Sequence, residues 1–406
     1  MSRQILDSRY SWTRLALTLG IATIGNVGMW SIIALMPAVQ AEFGGGRGGA
    51  SIPYTLTMAG FALGNLVWGR ALDRFGVSLA LAGASAMSAL GFALAALSPS
   101  IATLAAAQFV IGLGTAVFFG PLLADISLWF RRRRGIAVAI AASGNYLAGA
   151  IWPVALSGVQ ADHGWRGVCW VLALLVPVAV IPAARLLRRT VPAESLTAEA
   201  QATGLAPRRA PWSPRALMWL LGLAGVGCCV AMSMPQVHIV AFCVDLGYGP
   251  AVGANMLAVM LMGGVVSRLV SGLITDRLGG VPTLLIGSVG QMIGLILYLP
   301  FDGLTSLSVV SLIFGLSQGG IVPAYAIIVR EMMPAREAGA RVGFVIMATI
   351  LGMALGGWMS GWIYDVSGSY TLAFVNGIAW NALNIGIILM ILLRSRPVRP
   401  AGMVTA

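Results

Sequence analysis

The feature that most constrains this chain is a series of apolar runs, each long enough to form a helix of about 20 residues across a membrane. These runs recur from one end of the 406-residue sequence to the other. With 58% hydrophobic and only 9% charged residues, the chain has too few polar side chains to surround one soluble core. The sequence therefore predicts an integral membrane protein built from helices.

The apolar runs predict twelve spans. They fall at 14–37, 51–69, 77–97, 101–129, 136–160, 167–187, 216–242, 251–274, 281–299, 304–329, 342–364 and 370–393. All 25 basic residues are arginines. If the spans cross a membrane, Arg47 and Arg166 lie on one side of it and Arg268 lies within a span. All the other arginines then lie on the opposite side. Because cytoplasmic loops carry the excess of positive charge, we expect a multi-pass protein of the cell inner membrane with both termini in the cytoplasm.

A turn of the same pattern follows the second and the eighth span. Its residues are Gly69, Asp73, Arg74 and Gly76 in the first copy and Gly272, Asp276, Arg277 and Gly279 in the second. Pro121 and Pro323 also fall at related places, in the fourth and tenth spans. A repeat of half the chain indicates two parallel six-helix bundles. The predicted domains are an N-terminal bundle over residues 1–187, a polar cytoplasmic linker over 188–215 and a C-terminal bundle over 216–406.

The repeated turn resembles that of the major facilitator superfamily, and the resemblance extends over nearly the whole chain. A narrower pattern is similar to the monocarboxylate porter and oxalate/formate exchanger branch. It consists of Trp129 to Ala137 with its four arginines, Ser143-Gly144, Pro153 and Gly164-Trp165-Arg166. The resemblance implies an all-α fold of twelve transmembrane helices in two pseudo-symmetric bundles. It also implies secondary transport by alternating access.

In such a fold, the two turns are expected to latch the bundles together on the cytoplasmic side. Asp125 and Glu331 lie near the inner ends of the fourth and tenth spans, at equivalent places in the repeat. They are candidates for the two halves of a charge-pair gate. The alternative is that each is a solvated acid, which balances Arg131 or Arg330.

Arg268 is the only charged residue between about Ala251 and Ile274. A cation inside a span costs roughly 3 kcal/mol on insertion scales, so it is kept where something anionic meets it. One alternative is a side chain that reaches a lipid headgroup. The adjacent Gly263 and Gly264 instead favour a tight contact between helices. In the branch that the chain resembles, this helix carries an arginine that binds the substrate carboxylate, and Arg268 matches it.

The number of charges in the spans bears on the charge of the substrate. Proton-coupled animal members of the branch carry an Asp one turn before this arginine, where this chain has Gly264, and a Lys in the first span, which is absent here. The oxalate exchanger relies on a second cation in its eleventh span, where residues 342–364 contain none. One central cation predicts a small organic monoanion rather than a dicarboxylate.

Other polar and aromatic residues in the spans are candidates to line the site. Tyr325 matches a position where the branch places an aromatic hydroxyl in contact with substrate, and Gln318 lies one or two turns before it. The candidates in the N-terminal half are Asn26, Trp30, Tyr54, Phe118, Phe119, Asn145 and Tyr146. For most of them the alternative is a hydrogen bond between helices or a place at the membrane interface.

His238 is the leading candidate for proton coupling through a side chain, because its ordinary pKa lies near physiological pH. The alternative is a hydrogen-bonded histidine at the interface. Coupling by a protonated substrate or by exchange of a second anion would need no titrating side chain.

The sequence predicts no cofactor and no metal site, since its two histidines lie far apart in the chain and its four cysteines lack paired spacing. Arg131 to Arg134 would suggest nucleic acid in a soluble chain, but here the run ends a span and is expected to contact membrane lipid. No enzyme chemistry is indicated, and we expect a monomer.

Two other functions stay open at this stage. Gly135, Gly144 and Gly149 partly match a glycine-rich pattern of drug/proton antiporters, which would favour a multidrug or amphiphile exporter. The second is a transporter-like receptor that binds without transport, for which we would expect an added soluble signalling domain.

Overall fold

The computed structural model describes residues 6–130, 133–189, 208–209, 212–333 and 335–397. Six spans form the first half, which we call the N bundle. They are Arg9–Gly25 with Val27–Phe43, Arg47–Phe75, Val77–Ala96, Ile101–Thr115 with Gly120–Ser127, Arg134–Ala155 and Ser157–Leu186. The other six form the C bundle. They are Pro214–Asp245, Pro250–Leu278, Gly280–Leu297, Leu304–Gln318 with Ile321–Met332, Ala335–Ser367 and Tyr370–Arg394.

Eleven of these spans are long and apolar enough to cross a membrane. The remaining one, Arg47–Phe75, has 29 residues, or ~43 Å of helix, and carries its charges near its two ends. The prediction of a twelve-helix membrane fold is confirmed. The described part of the chain contains one small addition to it, an antiparallel pair of two-residue strands, Arg208–Arg209 with Arg396–Pro397.

Three spans that the sequence predicted as continuous helices are broken. The first span is interrupted at Asn26, and the fourth by a 3-10 turn at Ala116–Phe118. The tenth is interrupted between Gln318 and Ile321. Pro121 and Pro323 lie in the first turn of the helices that follow the last two breaks, where a missing N–H costs no helical hydrogen bond. The repeated prolines therefore mark a pair of equivalent breaks.

Glycine in a left-handed conformation accounts for two sharp changes of direction. Gly76 and Gly279, which end the two repeated turns, have φ of 81° and 84°. Residues with a side chain rarely adopt these values, so both turns depend on glycine. Each turn lets the chain pass directly from one span to the next.

The ends of the bundles differ in charge. We call the end that holds the repeated turns, the start of the first span and the end of the twelfth span the basic end, and the other end the opposite end. At the opposite end, the second span packs against the eleventh so closely that a Cβ at Gly361 would lie 2.7 Å from the backbone of Arg47. The fifth and eighth spans meet at mid-membrane, where a Cβ at Gly149 would lie 2.4 Å from Leu261. Small residues thus bring the two bundles into contact at both levels.

Candidate functional site

The guanidinium of Arg268 lies between the two bundles. Arg268 as a whole residue is 6% exposed to solvent. Nη1 donates a hydrogen bond to the carbonyl oxygen of Ala142 in the N bundle at 2.7 Å, and Nε donates to that of Gly319 at 3.1 Å. The Gly319 carbonyl is available because Pro323, four residues later, has no N–H to donate to it. Arg268 therefore does not extend to a lipid headgroup.

One aromatic ring adjoins this guanidinium, and a second ring packs against the first. Its central carbon lies 4.2 Å from the ring centroid of Tyr146, a distance at which the ring face attracts a cation. The ring of Trp30 lies 6.4 Å from that of Tyr146. A Cβ at Gly264 would come within 3.0 Å of the Tyr146 ring, so the absence of a side chain there makes room for the tyrosine.

Arg268 takes part in none of the ion pairs found among the described residues. Those pairs are Arg14 with Asp125, Arg47 with Asp245 and Arg166 with Glu42. A guanidinium has five N–H groups, and the two backbone carbonyls occupy two of them. The Tyr146 hydroxyl also lies within hydrogen-bond reach of the guanidinium. The N–H groups that these three partners leave over are those that an anion could use.

A pair of glutamines includes the residue that precedes Gly319, whose carbonyl accepts from Arg268. Gln236 of the seventh span donates from Nε2 to Oε1 of Gln318 at 2.6 Å, and both side chains are buried. Gln318 was among the predicted site residues, whereas Gln236 was not. The available signal was an amide side chain beside Pro235 in an otherwise apolar stretch.

Some predicted site residues of the N bundle contact other spans of the same bundle, and another contacts the C bundle. Asn26 donates from Nδ2 to the carbonyl of Phe118 at 3.1 Å, and its Oδ1 accepts from Asn145 at 3.2 Å, so these bonds join spans of the same bundle. The ring of Phe119 lies 6.2 Å from that of Phe61. Tyr54, by contrast, meets the C bundle, where a Cβ at Gly357 would lie 2.8 Å from its ring.

Tyr325 lies inside the C bundle. It is fully buried, and its hydroxyl donates to Oδ1 of Asn384 at 2.8 Å, which joins the tenth span to the twelfth. In the present arrangement, the hydroxyl is used within the bundle. Its contact with a substrate stays a prediction.

His238 is fully buried and lies seven residues before the end of its span at Asp245, two turns rather than the expected one. Nε2 donates to the carbonyl oxygen of Gly357 at 2.7 Å. Nδ1 lies 3.3 Å from the hydroxyl of Tyr370, for which it can act as acceptor. The ring thus joins the seventh span to the eleventh and to the first residue of the twelfth. Its part in proton coupling stays a prediction.

The two acids proposed as gate halves have different surroundings. Asp125 pairs with Arg14 of its own bundle at 2.7 Å. Glu331 accepts a hydrogen bond at Oε1 from the backbone N–H of Gly280, at the start of the ninth span, at 3.0 Å. A favourable place for a carboxylate is the N-terminus of a helix. The gate role of both acids, and the latch formed by Asp73, Arg74, Asp276 and Arg277, stay predictions.

A polar contact at the opposite end was not predicted. The side chain of Arg47 forms an ion pair with Asp245. The backbone N–H groups of Arg47 and Gly48 donate to the two carboxylate oxygens of Asp365, at 2.5 Å and 2.8 Å. The start of the second span is therefore held by acids from the seventh and eleventh spans, so this contact joins the two bundles.

Comparison with known proteins identifies the family. The sequence profile of the Major Facilitator Superfamily matches residues 18–310 and 244–403, which together include most of the chain. The chain belongs to the Major Facilitator Superfamily. The predicted resemblance is thereby confirmed, and so is the prediction of a multi-pass membrane transporter rather than an enzyme.

Individual members of the superfamily are similar to this chain. Monocarboxylate transporter 13 of Bos taurus is 28% identical over 308 residues, which are 74% of this chain and 70% of that protein. Monocarboxylate transporter 11 of Homo sapiens is 28% identical over 309 residues, 71% of this chain and 63% of that one. The crystal structure of a bacterial homolog of the human lysosomal transporter Spinster superposes with a TM-score of 0.72. It is 16% identical and covers 96% of this chain and 99% of its own, which shows the fold alone.

Proposed function

We propose that this facilitator moves a small organic monoanion across the membrane by alternating access, with Arg268 as the group that binds the carboxylate. The observation that carries the proposal is a buried guanidinium at the interface of the bundles that has no carboxylate partner among the described residues. An uncompensated charge in a span is costly, and a bound anion would neutralise it. The two relatives that are named monocarboxylate transporters agree with this substrate class.

The geometry of the guanidinium suits one carboxylate. Arginine binds a carboxylate through two parallel hydrogen bonds, which orient the ligand as well as neutralise it. Arg268 keeps N–H groups beyond those used by Ala142 and Gly319. No other arginine lies in the middle of a predicted span, so a single negative charge matches the site better than two.

The position of Arg268 also connects binding with movement of the bundles. One of its hydrogen bonds crosses to Ala142 in the N bundle, and the other stays in the C bundle at Gly319. Rocking of the bundles would change the first distance and keep the second. The substrate would travel with the C bundle while the N bundle closes over it from either side.

The coupled species is a proton or a second anion. If a side chain carries the coupled proton, that side chain would be His238. If none does, transport would be coupled through a substrate that binds in its protonated form or through exchange with a second anion. We further propose a monomer in the cell inner membrane with both termini in the cytoplasm, because nearly all arginines lie at the basic end.

The glycine pattern of the fifth span, which favoured an exporter, is explained by helix packing. A Cβ at Gly144 would lie 2.6 Å from Ala22, and one at Gly149 would lie 2.6 Å from the Trp30 ring. Both glycines therefore serve close contact between helices, whatever the substrate. Export of amphiphiles and binding without transport remain the outcomes against which the proposal is tested.

The test is counterflow in proteoliposomes with a panel of radiolabelled mono- and dicarboxylates. We expect wild type to exchange at least one class of monocarboxylate. Arg268→Ala should lower that exchange roughly 100-fold, since it removes charge-assisted hydrogen bonds and the neutralising charge. Arg394→Ala is the matched control, because this arginine is exposed at the basic end and should leave exchange unchanged.

Near-normal exchange by Arg268→Ala would contradict the carboxylate assignment. Exchange of cationic dyes that is insensitive to this substitution would favour the exporter. Binding of an acid without exchange would favour the receptor. Gel filtration of each variant in detergent confirms that folded protein is being compared.

A further inference from the structure

The glutamine pair keeps two polar atoms without a partner. Gln236 and Gln318 are 1% and 0% exposed, and one hydrogen bond of 2.6 Å joins them. Among the described residues, Oε1 of Gln236 and Nε2 of Gln318 have no hydrogen-bond partner. A buried polar group left unpaired costs free energy, so such groups in a folded protein call for an explanation.

The unpaired atoms are one donor and one acceptor, whichever way the amides are turned. If Gln236 donates to Gln318, the amide oxygen of Gln236 and the amide nitrogen of Gln318 are left without a partner. If both amides are rotated by half a turn, Gln318 donates and the remaining donor and acceptor exchange places. The pair is neutral in either case. It therefore matches a neutral group that donates and accepts at the same time.

The pair adjoins the cation through the backbone. Gln318 is the residue before Gly319, whose carbonyl oxygen accepts from Nε of Arg268 at 3.1 Å. Consecutive Cα atoms are ~3.8 Å apart, so the backbone of Gln318 adjoins the residue whose carbonyl holds the guanidinium, at the break of the tenth span. A further buried donor, Nε1 of Trp30, also lacks a partner among the described residues and borders the Tyr146 ring on which Arg268 rests.

We infer that Gln236 and Gln318 form a subsite that recognises a hydroxyl group on the carboxylate bound by Arg268. The hydroxyl would donate to the free amide oxygen and accept from the free amide nitrogen. An oxo group accepts only, and would leave the amide oxygen unpaired. An unsubstituted chain would leave both atoms unpaired. This inference rests on the proposed function, and it makes the amide pair the determinant of preference among monocarboxylates.

The test compares acids of equal chain length. The labelled probes are an unsubstituted four-carbon monocarboxylate, its hydroxy derivatives at carbon 2 and carbon 3, and the corresponding oxo acids. Counterflow in proteoliposomes gives the half-saturating concentration of each. For wild type we expect one hydroxy acid to half-saturate at a concentration roughly ten-fold below that of the unsubstituted acid, as expected for hydrogen bonds made to otherwise unpaired groups.

The informative variant is the double substitution Gln236→Met with Gln318→Met. Methionine has nearly the length of glutamine, and replacing both partners removes the unpaired groups together, so folding should be retained. We expect the ratio of the half-saturating concentrations of the unsubstituted acid and the hydroxy acid, about ten in wild type, to fall to about one in the double variant.

The outcomes separate this inference from the proposed function. If the double variant loses exchange of both acids in equal proportion, or if wild type does not prefer a hydroxy acid, the subsite is refuted while carboxylate transport stands. If wild type exchanges none of the acids and Arg268→Ala changes nothing, the proposed function fails and the subsite fails with it.

Discussion

Arg14 and Arg268 are both buried arginines, and the protein treats them differently. Arg14 is paired with Asp125 at 2.7 Å, donates to the carbonyls of Leu187 and Arg189, and lies 4.4 Å from the Trp129 ring centroid. Arg268 has two carbonyls and a ring but takes part in no described ion pair. The protein itself neutralises the first charge, and we propose that a bound anion neutralises the second.

This contrast predicts different effects on stability. Asp125→Asn should lower the free energy of unfolding by about 3 kcal/mol, because it leaves a buried cation without its counter-charge. Arg268→Met should change it much less, because no acid loses its partner. Thermal unfolding in detergent measures both variants. Equal stability of Asp125→Asn and wild type would contradict the structural role given to the Arg14 pair.

The same two residues show what a sequence can reveal at this scale. Arg268 could be found because it stands alone in an apolar run. Arg14 looks like one more arginine near the start of a span, and its partner lies 111 positions away. A pairing between distant spans leaves no local pattern, so the role of Arg14 could not be predicted. The Gln236 partner of Gln318 was missed for the same reason.

The break of the tenth span is what makes the site possible at the scale of elements. In an α-helix the Gly319 carbonyl would accept from the N–H of residue 323, but residue 323 is a proline and has no N–H. Pro323 therefore leaves this carbonyl free for Arg268, and the glycine lets the two spans approach. A Cβ on Gly319 would lie 2.3 Å from the carbonyl oxygen of Gly264 and 2.5 Å from the backbone nitrogen of Arg268.

Gly319→Ala is therefore expected to impair transport. The added methyl group meets backbone on the eighth span, which cannot move aside as a side chain can, so the tenth span must shift. Overpacking of this kind costs about 1–3 kcal/mol. It should also displace the carbonyl that orients Arg268 and raise the half-saturating substrate concentration roughly ten-fold.

The matched control is Gly386→Ala in the twelfth span, where an added Cβ would have nothing within 4 Å. Counterflow and thermal unfolding are measured for both variants. If Gly319→Ala behaves like Gly386→Ala in both assays, the close approach of the eighth and tenth spans does not position Arg268.

The sequence predicted the positions of the twelve spans well, but it did not predict the breaks within three of them. Twelve apolar runs were enough to locate the spans, because length and hydropathy determine what crosses a bilayer. Pro121 and Pro323 were recognised as a repeat, but both lie just after a break rather than within a bent helix. An apolar run looks the same whether or not its helix is broken, so hydropathy alone could not locate the carbonyl that Arg268 uses. The signal for it was Pro323, which stands four residues after Gly319 and has no N–H to donate to it.

In the whole molecule, hydrogen bonds join the N bundle to the C bundle at two depths along the spans. Arg268 reaches Ala142 at mid-membrane, and Asp365 and Asp245 hold the start of the second span at the opposite end. Gly48 and Gly361 bring the backbones of the second and eleventh spans together there. For access to alternate, the contact at the opposite end must open while the bundles remain folded. Asp365 is then a determinant of the balance between the two states.

Asp365→Ala is expected to open the opposite end more often, because it removes both acceptors from the backbone N–H groups of Arg47 and Gly48. The reporter is Ser51→Cys, in a background with the four native cysteines replaced. Ser51 is fully buried and lies one turn further in, on the helix face that holds Gly48 and Tyr54. A polar maleimide should label this cysteine about ten-fold faster in the Asp365→Ala background, which corresponds to a shift of ~1.4 kcal/mol between the two states.

Asp302→Ala is the matched control for that measurement, since Asp302 is an exposed acid at the same end and its side chain carries the same charge. It should leave the labelling rate unchanged. A rate that rises equally in both backgrounds would mean that surface charge, and not the contact with the second span, governs access of the reagent. A rate that rises in neither would mean that the packing of Gly48 against the eleventh span keeps this end closed without Asp365.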